Sequence, residues 1–190
     1  FVQKILKNKK NNKEKIISFN ISERTTVIVI TVKKDLNGHG IENLGASFFN
    51  FVKKNSFKEI SIFSDSLNSK AGVDFMGSFI HGLKLKSYEF NIYKSKKTEN
   101  KLLINLIGKQ SNKHLKNKVK FKALEEGTFF TRDLVSEPGN ILHPDEYARR
   151  LVKLKKYGLK VTVYDERKLK KLGCNALLGV GQGSIRGSYL

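Results

Sequence analysis

Four histidines and one cysteine are the residues of this sequence best suited to metal binding or nucleophilic chemistry. The histidines lie far apart in the chain, at His39, His81, His114 and His143, and none forms a His-Glu-x-x-His pair. Because that pair places two ligands on one helix face, its absence argues against a zinc site of this kind. Cys174 follows a glycine that we expect to end a helix, where backbone carbonyl groups disfavour a thiolate. We therefore interpret the histidines as structural or solvated residues and Cys174 as a small packed residue.

Two glycine-containing segments have the composition of loops that bind anions through backbone amides. Residues 179–184 read Gly-Val-Gly-Gln-Gly-Ser, but no Gly-Lys-Ser or Gly-Lys-Thr follows and no helical pattern is visible beyond them. We predict a glycine-rich loop that approaches a neighbouring segment closely, rather than a phosphate-binding loop. Residues 37–40, Asn-Gly-His-Gly, are interpreted as a plain connection between a strand and a helix rather than as a ligand-binding turn.

The net charge of +20 is the strongest feature of the composition. A surface this basic attracts polyanions and favours salt-dependent, non-specific binding of nucleic acid. However, only 6 of the 37 basic residues are arginine, and the lysines are scattered in short clusters rather than along one helix face. We attribute the charge mainly to a bias in amino-acid usage, and we expect any binding of nucleic acid to be weak and independent of base sequence.

Predicted strands and helices alternate over the first part of the chain. Three β-branched or apolar runs indicate buried strands, at residues 25–32, 57–63 and 102–107. Between them, apolar residues recur at helical spacing over residues 41–52 and 71–84. This alternation favours an α/β fold with a parallel or mixed sheet.

A long helix is predicted over residues 119–136, and Pro138 would end it because proline lacks an N–H and clashes with the preceding turn. Four residues at helical spacing are predicted to form its buried face: Phe121, Leu124, Thr128 and Val135.

The last part of the chain is predicted to begin a second unit. Pro144 opens a helix with acidic residues near its positive end, and Gly158 stops it. A strand at residues 159–164 and a short helix at 166–172, capped by Asp165, would follow. The chain would then form another strand, at residues 175–180, before the glycine-rich loop. No run of apolar residues is long enough to span a bilayer, and the single cysteine fits a reducing, cytoplasmic setting.

Residues 131–144, with the sequence TRDLVSEPGNILHP, carry a family resemblance. They are similar to the signature Arg-Asp-Leu-Val-Asn-Glu-Pro-x-Asn-x-Leu-Thr-Pro of the leucyl (cytosol) aminopeptidase family. The segments at 159–173, 176–184 and 88–97 also resemble that family. Two departures are Ser136 in place of the usual Asn, and His143 in place of the usual Thr. A threonine would cap the following helix better than a histidine does, by about 1 kcal/mol.

The resemblance implies the N-terminal part of a two-domain enzyme. A macro-like domain with a mixed sheet flanked by helices would occupy residues 1–118. A linker helix at 119–138 would lead to the incomplete beginning of a metallopeptidase catalytic domain at 139–190. The complete enzyme would use two divalent metal ions, Mn or Zn, to activate water against the N-terminal peptide bond of a peptide substrate. The resemblance also implies a homo-oligomer, a hexamer in this family, without a membrane partner.

The metal ligands of the family begin in a Val-Gly-Lys-Gly-x-x-Phe-Asp-x-Gly-Gly motif, which these 190 residues do not contain. We expect that motif beyond Leu190, so we assign no catalytic, cofactor-binding or metal-binding residue and expect the chain alone to be inactive. The alternative is a macro-like basic module that binds a nucleotide or nucleic acid. It predicts a well-formed pocket near the strand ends and glycine-rich loops, whereas the enzyme interpretation predicts a filled one.

Overall fold

The computed structural model describes residues 15–32, 35–67, 74–96, 101–108 and 117–190. The chain divides into two compact units, Phe1–Phe129 and Phe130–Leu190. Helices and strands occur together, so the predicted α/β class is confirmed. The macro-like form of the first domain remains a prediction. His114 lies outside the described residues, as do residues 71–73 of the second predicted helix.

Among its described residues, the first unit has four strands in two sheets. Strands β1 (Ile16–Ser22) and β2 (Thr25–Ile30) form an antiparallel hairpin, and β3 (Glu59–Phe63) pairs in parallel with β4 (Leu103–Ile107). All three strands predicted from β-branched and apolar runs are therefore present. The parallel pair requires a crossover connection, and helix α2 (Phe75–Ser87) lies within it.

Two helices enclose the core of the first unit. Helix α1 (Gly38–Lys54) begins at Asn37, whose side-chain oxygen accepts a hydrogen bond from the Gly40 N–H at 2.8 Å. The strand-to-helix interpretation of residues 37–40 is thus supported, because the side chain of Asn37 already uses the Gly40 amide. The core joins α1 to α2 through eight buried side chains: Leu44, Phe48, Phe49, Val52, Phe75, Met76, Phe79 and Leu83.

Helix α3 (Lys118–Ser136) coincides with the predicted linker helix, but its buried face differs from the prediction. Leu124 and Val135 are exposed, the latter by 82%, whereas Glu125 and Leu134 are buried. The prediction of the face was wrong because it counted apolar residues alone, and a carboxylate at Glu125 takes a core position.

The second unit begins at Phe130, within α3, and is largely helical. Helices α4 (Pro144–Val152), α5 (Glu166–Lys171) and α6 (Asn175–Gly181) follow, with a 3₁₀ segment at Lys153–Tyr157 after α4. Gly158 adopts a left-handed conformation with φ of 83° and ends the 3₁₀ segment, in agreement with its predicted role as a stop. Leu169, on α5, is fully buried.

Both strands predicted in the second unit are wrong. Residues 159–164 have no regular secondary structure, although Tyr164 exchanges two backbone hydrogen bonds with Leu190. Residues 175–180 lie in helix α6. Short apolar runs do not distinguish a strand from a buried helical turn, and Ala and Leu in this run both favour a helix.

No helix among the residues described is both long and apolar enough to cross a membrane.

Candidate functional site

A half-open cavity of about 470 Å³ lies in the first unit. Its walls come from α1, α2, β4 and the first turns of α3. Ile104 and Leu106 on β4 face it, as does Leu102 directly before the strand, so the cavity lies against one face of the strand. Most of the lining is apolar, but Lys84, Lys101, Lys118 and Glu125 also contribute.

Glu125 holds a buried polar cluster beside this cavity. Its carboxylate oxygen Oε1 lies 3.1 Å from His81 Nδ1, and Lys84 Nζ donates to its other oxygen, Oε2, at 2.9 Å. The side chains of His81 and Glu125 are each 7% exposed, so both are shielded from water. The His81 ring also packs on Phe121, with ring centroids 5.0 Å apart. This cluster ties α2 to α3 through groups that would be costly to bury without partners.

Hydrophobic periodicity did not predict that Glu125 belongs to this cluster. Carboxylates are rarely buried, and a burial prediction based on hydrophobic periodicity passes over them. One signal was present in the sequence: position 125 lies four residues after Phe121 and three before Thr128, on the face that they share.

A second polar cluster lies in the second unit and contains the glutamate of the signature segment. Glu137, whose side chain is 5% exposed, accepts a hydrogen bond from Arg150 Nη1 at 2.9 Å. Arg150 Nε donates at 2.8 Å to Glu146, which also accepts two hydrogen bonds from Arg149 at 2.6 Å. Arg150 therefore connects the turn after α3 to helix α4. His143 stands at the N-cap of α4 without a side-chain hydrogen bond, as its poor capping chemistry predicts.

The electrostatics of this cluster are dominated by its two arginines. Hydrogen bonds from Arg149 and Arg150 lower the pKa of Glu146 from 4.5 to about 2. The same hydrogen bonds raise the pKa values of both arginines. Glu146 also lies in the first turn of α4, where the helix dipole favours a negative charge.

We expect the titration of Glu146 to be measurable by carbon-detected NMR of its side-chain carboxyl group. Its midpoint should lie near pH 2, because the two arginines favour the ionised form. Since the folded pKa is below the unfolded value of 4.5, the stabilising contribution of Glu146 is complete above pH 4.5 and is lost as the pH falls towards 2. Arg149→Ala should raise the midpoint. A midpoint near 4.5 in the unaltered chain would contradict the bidentate pairing.

The described histidines and acidic residues do not converge on a metal site. His39 is exposed at the start of α1, His81 is bound to Glu125, and His143 begins α4. Within the described ranges, no three or more His, Cys, Asp or Glu side chains are grouped so that they could hold a metal ion.

The glycine run 179–184 does not have the geometry of a phosphate-binding loop. Gly179 and Gly181 lie at the C-terminal end of α6, not at a helix N-terminus where amides would meet an anion. The prediction of a glycine-rich loop is wrong for residues 179–181, because these residues lie in helix α6. Gly181 does approach a neighbour closely, because an added Cβ would collide with the Ser188 hydroxyl group.

Cys174 is half-buried and lies between helices α5 and α6.

Residues 129–190 match the model of the cytosol aminopeptidase family, catalytic domain. The match begins one residue before the second compact unit. It therefore includes the Glu137–Arg150 cluster and the three helices α4 to α6.

A probable cytosol aminopeptidase of Phytoplasma mali (strain AT) is 39% identical to this chain over 143 residues. The alignment includes 72% of this chain but 29% of the relative, so the chain spans less than a third of the length of that protein.

Two solved enzymes share the fold. The bottromycin maturation enzyme BotP superposes with a TM-score of 0.73 at 18% identity, over 97% of this chain and 41% of its own, and it has also been solved in complex with Mn. The K354E mutant of tomato leucine aminopeptidase superposes with a TM-score of 0.67 at 16% identity, over 91% of this chain and 36% of its own.

Proposed function

Because the chain belongs to the cytosol aminopeptidase family and matches its N-terminal part, we propose that it is the N-terminal portion of a metal-dependent aminopeptidase that releases N-terminal amino acids from peptides. The match of residues 129–190 to the catalytic domain of the family carries this proposal. The relative from Phytoplasma mali supports it, because its alignment extends well beyond those 62 residues.

We further propose a division of labour along the chain. Residues 1–118 form a domain outside the catalytic part, residues 119–138 form the linker, and residues 139–190 begin the catalytic domain. The single helix α3 supports the linker assignment, because it runs without a break from the cavity wall at Lys118 to the signature segment at Ser136. No observation favours nucleotide binding as a second function, since the described cavity faces β4 and the glycine run ends a helix.

Two divalent metal ions, as Mn or Zn, would supply the activated water in the complete enzyme. The carboxylates described here do not fit that role. Glu125 is held by His81 and Lys84, Glu137 by Arg150, and no suitable ligand group is found in the described part of the chain. We therefore derive no step of peptide hydrolysis from these residues. These 190 residues do not contain the lysine-containing motif to which the family resemblance assigns those ligands.

The purified 190-residue chain is expected not to hydrolyse leucyl amides or leucyl peptides, with or without added manganese or zinc. The physical reason is the absence of the lysine and carboxylate ligands that a two-metal site requires. A chromogenic leucyl anilide assay with millimolar metal would measure this, with a complete family member as the positive control. Metal-dependent turnover above that of a heat-denatured sample of the same chain would contradict this prediction, because it would show that these 190 residues contain a catalytic site.

The proposed function itself is tested by the coding sequence that follows Leu190. If the lysine-containing metal motif follows in frame, a protein expressed with that extension should hydrolyse leucyl amides when manganese is present. Inactivity of the extended, folded protein towards all N-terminal residues would refute the proposal.

A further inference from the structure

We propose that the polypeptide following Leu190 in the longer protein forms a β-strand that pairs antiparallel with residues 159–163. This inference rests on the proposed function, which makes the chain the N-terminal portion of a longer enzyme. Within the described part of the chain, the backbone of residues 159–163 makes no hydrogen bond. These residues therefore present the unpaired N–H and C=O groups of an open strand edge.

The direction of the new strand follows from the pairing of Tyr164 with Leu190. The Tyr164 N–H donates to the Leu190 carbonyl at 2.7 Å, and the Leu190 N–H donates to the Tyr164 carbonyl at 3.1 Å. This exchange of both bonds is characteristic of opposite residues in antiparallel strands. Ser188, two residues before Leu190, donates its N–H to Oε1 of Glu166, two residues after Tyr164, at 2.9 Å. The two segments therefore already run antiparallel.

The same pair of bonds sets the register. Hydrogen-bonded and non-hydrogen-bonded positions alternate along an antiparallel strand. Since Tyr164 occupies a hydrogen-bonded position, Thr162 and Lys160 occupy the next two, and their N–H and C=O groups lie on the same edge. Thr162 would pair with the second residue after Leu190, and Lys160 with the fourth.

The sequence of this edge favours a strand once a partner is present. Val161, Thr162 and Val163 are β-branched, and such residues fit a pleated, half-buried surface. Val161 and Val163 are half-buried, whereas Lys160 and Thr162 are exposed, so one face of the segment is already turned towards the protein. Cross-strand neighbours share a face, so the first and third residues after Leu190 are expected to be apolar.

The continuation of the chain is favoured over a second copy as the occupant of this edge. A strand that enters directly from Leu190 is already in register, so no additional loop has to be closed. The alignment includes only 29% of the Phytoplasma mali relative, so a protein of that length has ample sequence to supply the strand. A second copy would instead bring two segments 153–160 together, each with four lysines and no acidic residue.

Amide hydrogen exchange followed by NMR tests the pairing in the 190-residue chain and in the same chain extended by the next six or so encoded residues, about one strand length. Without the extension, the N–H groups of Lys160 and Thr162 should exchange freely. The extension should slow both by at least about tenfold, because each gains a carbonyl partner. Val161 and Val163 are internal controls, because their N–H groups point to the opposite edge and should change by less than about twofold.

Disulfide crosslinking tests the register separately, in a Cys174→Ser background that leaves no other thiol. Val163→Cys is combined with a cysteine at the first residue after Leu190. These two residues would form a non-hydrogen-bonded pair with Cα atoms about 4.5 Å apart, which a disulfide can bridge. Thr162→Cys with the same added cysteine is the matched control, because its side chain lies on the other face of the strand. The first pair should crosslink at least about tenfold faster in a glutathione buffer.

Unchanged exchange at Thr162 in the extended chain, or equal crosslinking of the two cysteine pairs, overturns this inference. Slow exchange at Thr162 that is already present in the 190-residue chain and increases with protein concentration also overturns it, because the occupant would then be a second copy. Neither measurement depends on catalysis. An active enzyme without this pairing would therefore overturn this inference alone, whereas pairing in an inactive one would overturn the proposed function alone. A stop codon directly after Leu190 would overturn both.

Discussion

Replacing Gly82 with alanine is expected to lower the free energy of unfolding of the first unit by about 3 kcal/mol, although alanine is the better helix former. A Cβ atom at Gly82, on α2, would overlap the carbonyl oxygen of Glu42 on α1. The contact is reciprocal, because a Cβ at Gly45 on α1 would overlap the carbonyl oxygen of Phe79 on α2. Backbone atoms cannot rotate away as the end of a side chain can, so the two helices would have to separate.

Separation of α1 and α2 would disrupt the hydrophobic core that joins them. Phe48 and Phe79 pack with ring centroids 5.5 Å apart across this helix pair, and both are almost fully buried. Interiors are packed so closely that a displacement of this kind forfeits many small attractive contacts at once. The expected decrease in the free energy of unfolding is therefore larger than the addition of one methyl group alone would cause.

Gly127→Ala is the matched control for this prediction. Gly127 also lies inside a helix, α3, but a Cβ at this position meets no atom within 4 Å. The same substitution should therefore stabilise the protein, by about 0.5–1 kcal/mol, through helix propensity alone. Urea unfolding followed by circular dichroism would give the two changes, which should have opposite signs. If Gly82→Ala and Gly127→Ala are equally stable, the close approach of α1 and α2 does not exclude a side chain at Gly82.

The sequence predicted helices α1 and α2 and the strands β2, β3 and β4 of the first unit, but it predicted neither β1 nor how closely the two helices approach. Periodicity placed Leu44, Phe48 and Val52 on one face of α1, and all three are in the core. Gly45 lies beside them and contributes no hydrophobic signal, so its role as a backbone contact surface was missed. An isolated glycine inside an amphipathic helix is a sequence feature that often has a packing reason.

In the second unit, the sequence predicted the helix boundaries better than the strands. Helix α4 starts at Pro144 and α5 is capped by Asp165, whose side chain accepts a hydrogen bond from the Lys168 N–H at 2.9 Å. Both signals are local, because they depend on groups within one turn of the helix end. Pairing of a strand depends instead on a partner that is remote in sequence, and the strand predictions at residues 159–164 and 175–180 assumed such partners.

Local signals also explain why the signature segment indicated a family but not a mechanism within this chain. The order of residues from Arg132 to Pro144 was sufficient to identify the resemblance, and Glu137 was part of it. One partner of Glu137 is Arg150, which lies 13 residues later on helix α4 and outside the signature. The structure thus adds to the motif an ion pair that sequence spacing alone did not suggest.

Replacing Arg150 with alanine is expected to destabilise the second unit by about 3 kcal/mol, because it would remove a cationic partner from the nearly buried carboxylate of Glu137. Glu137 is 5% exposed and cannot recover the lost interaction from bulk water. Arg150 also donates to Glu146, so its removal breaks the connection between the turn after α3 and the first turn of α4.

Arg149→Ala provides the control, because Arg149 adjoins Arg150 and pairs with the same Glu146. Its side chain is 58% exposed, so its loss should cost about 0.5 kcal/mol or less. Amide hydrogen exchange of α4 would report the local stability of this unit separately from that of the first unit. Exchange in Arg150→Ala should accelerate about a hundredfold, and Glu137→Gln, which keeps an acceptor but removes the charge, should give an intermediate rate. If the two arginine variants exchange at the same rate, the buried pair with Glu137 does not stabilise the turn, and the effect belongs to the exposed ion pairs of Glu146.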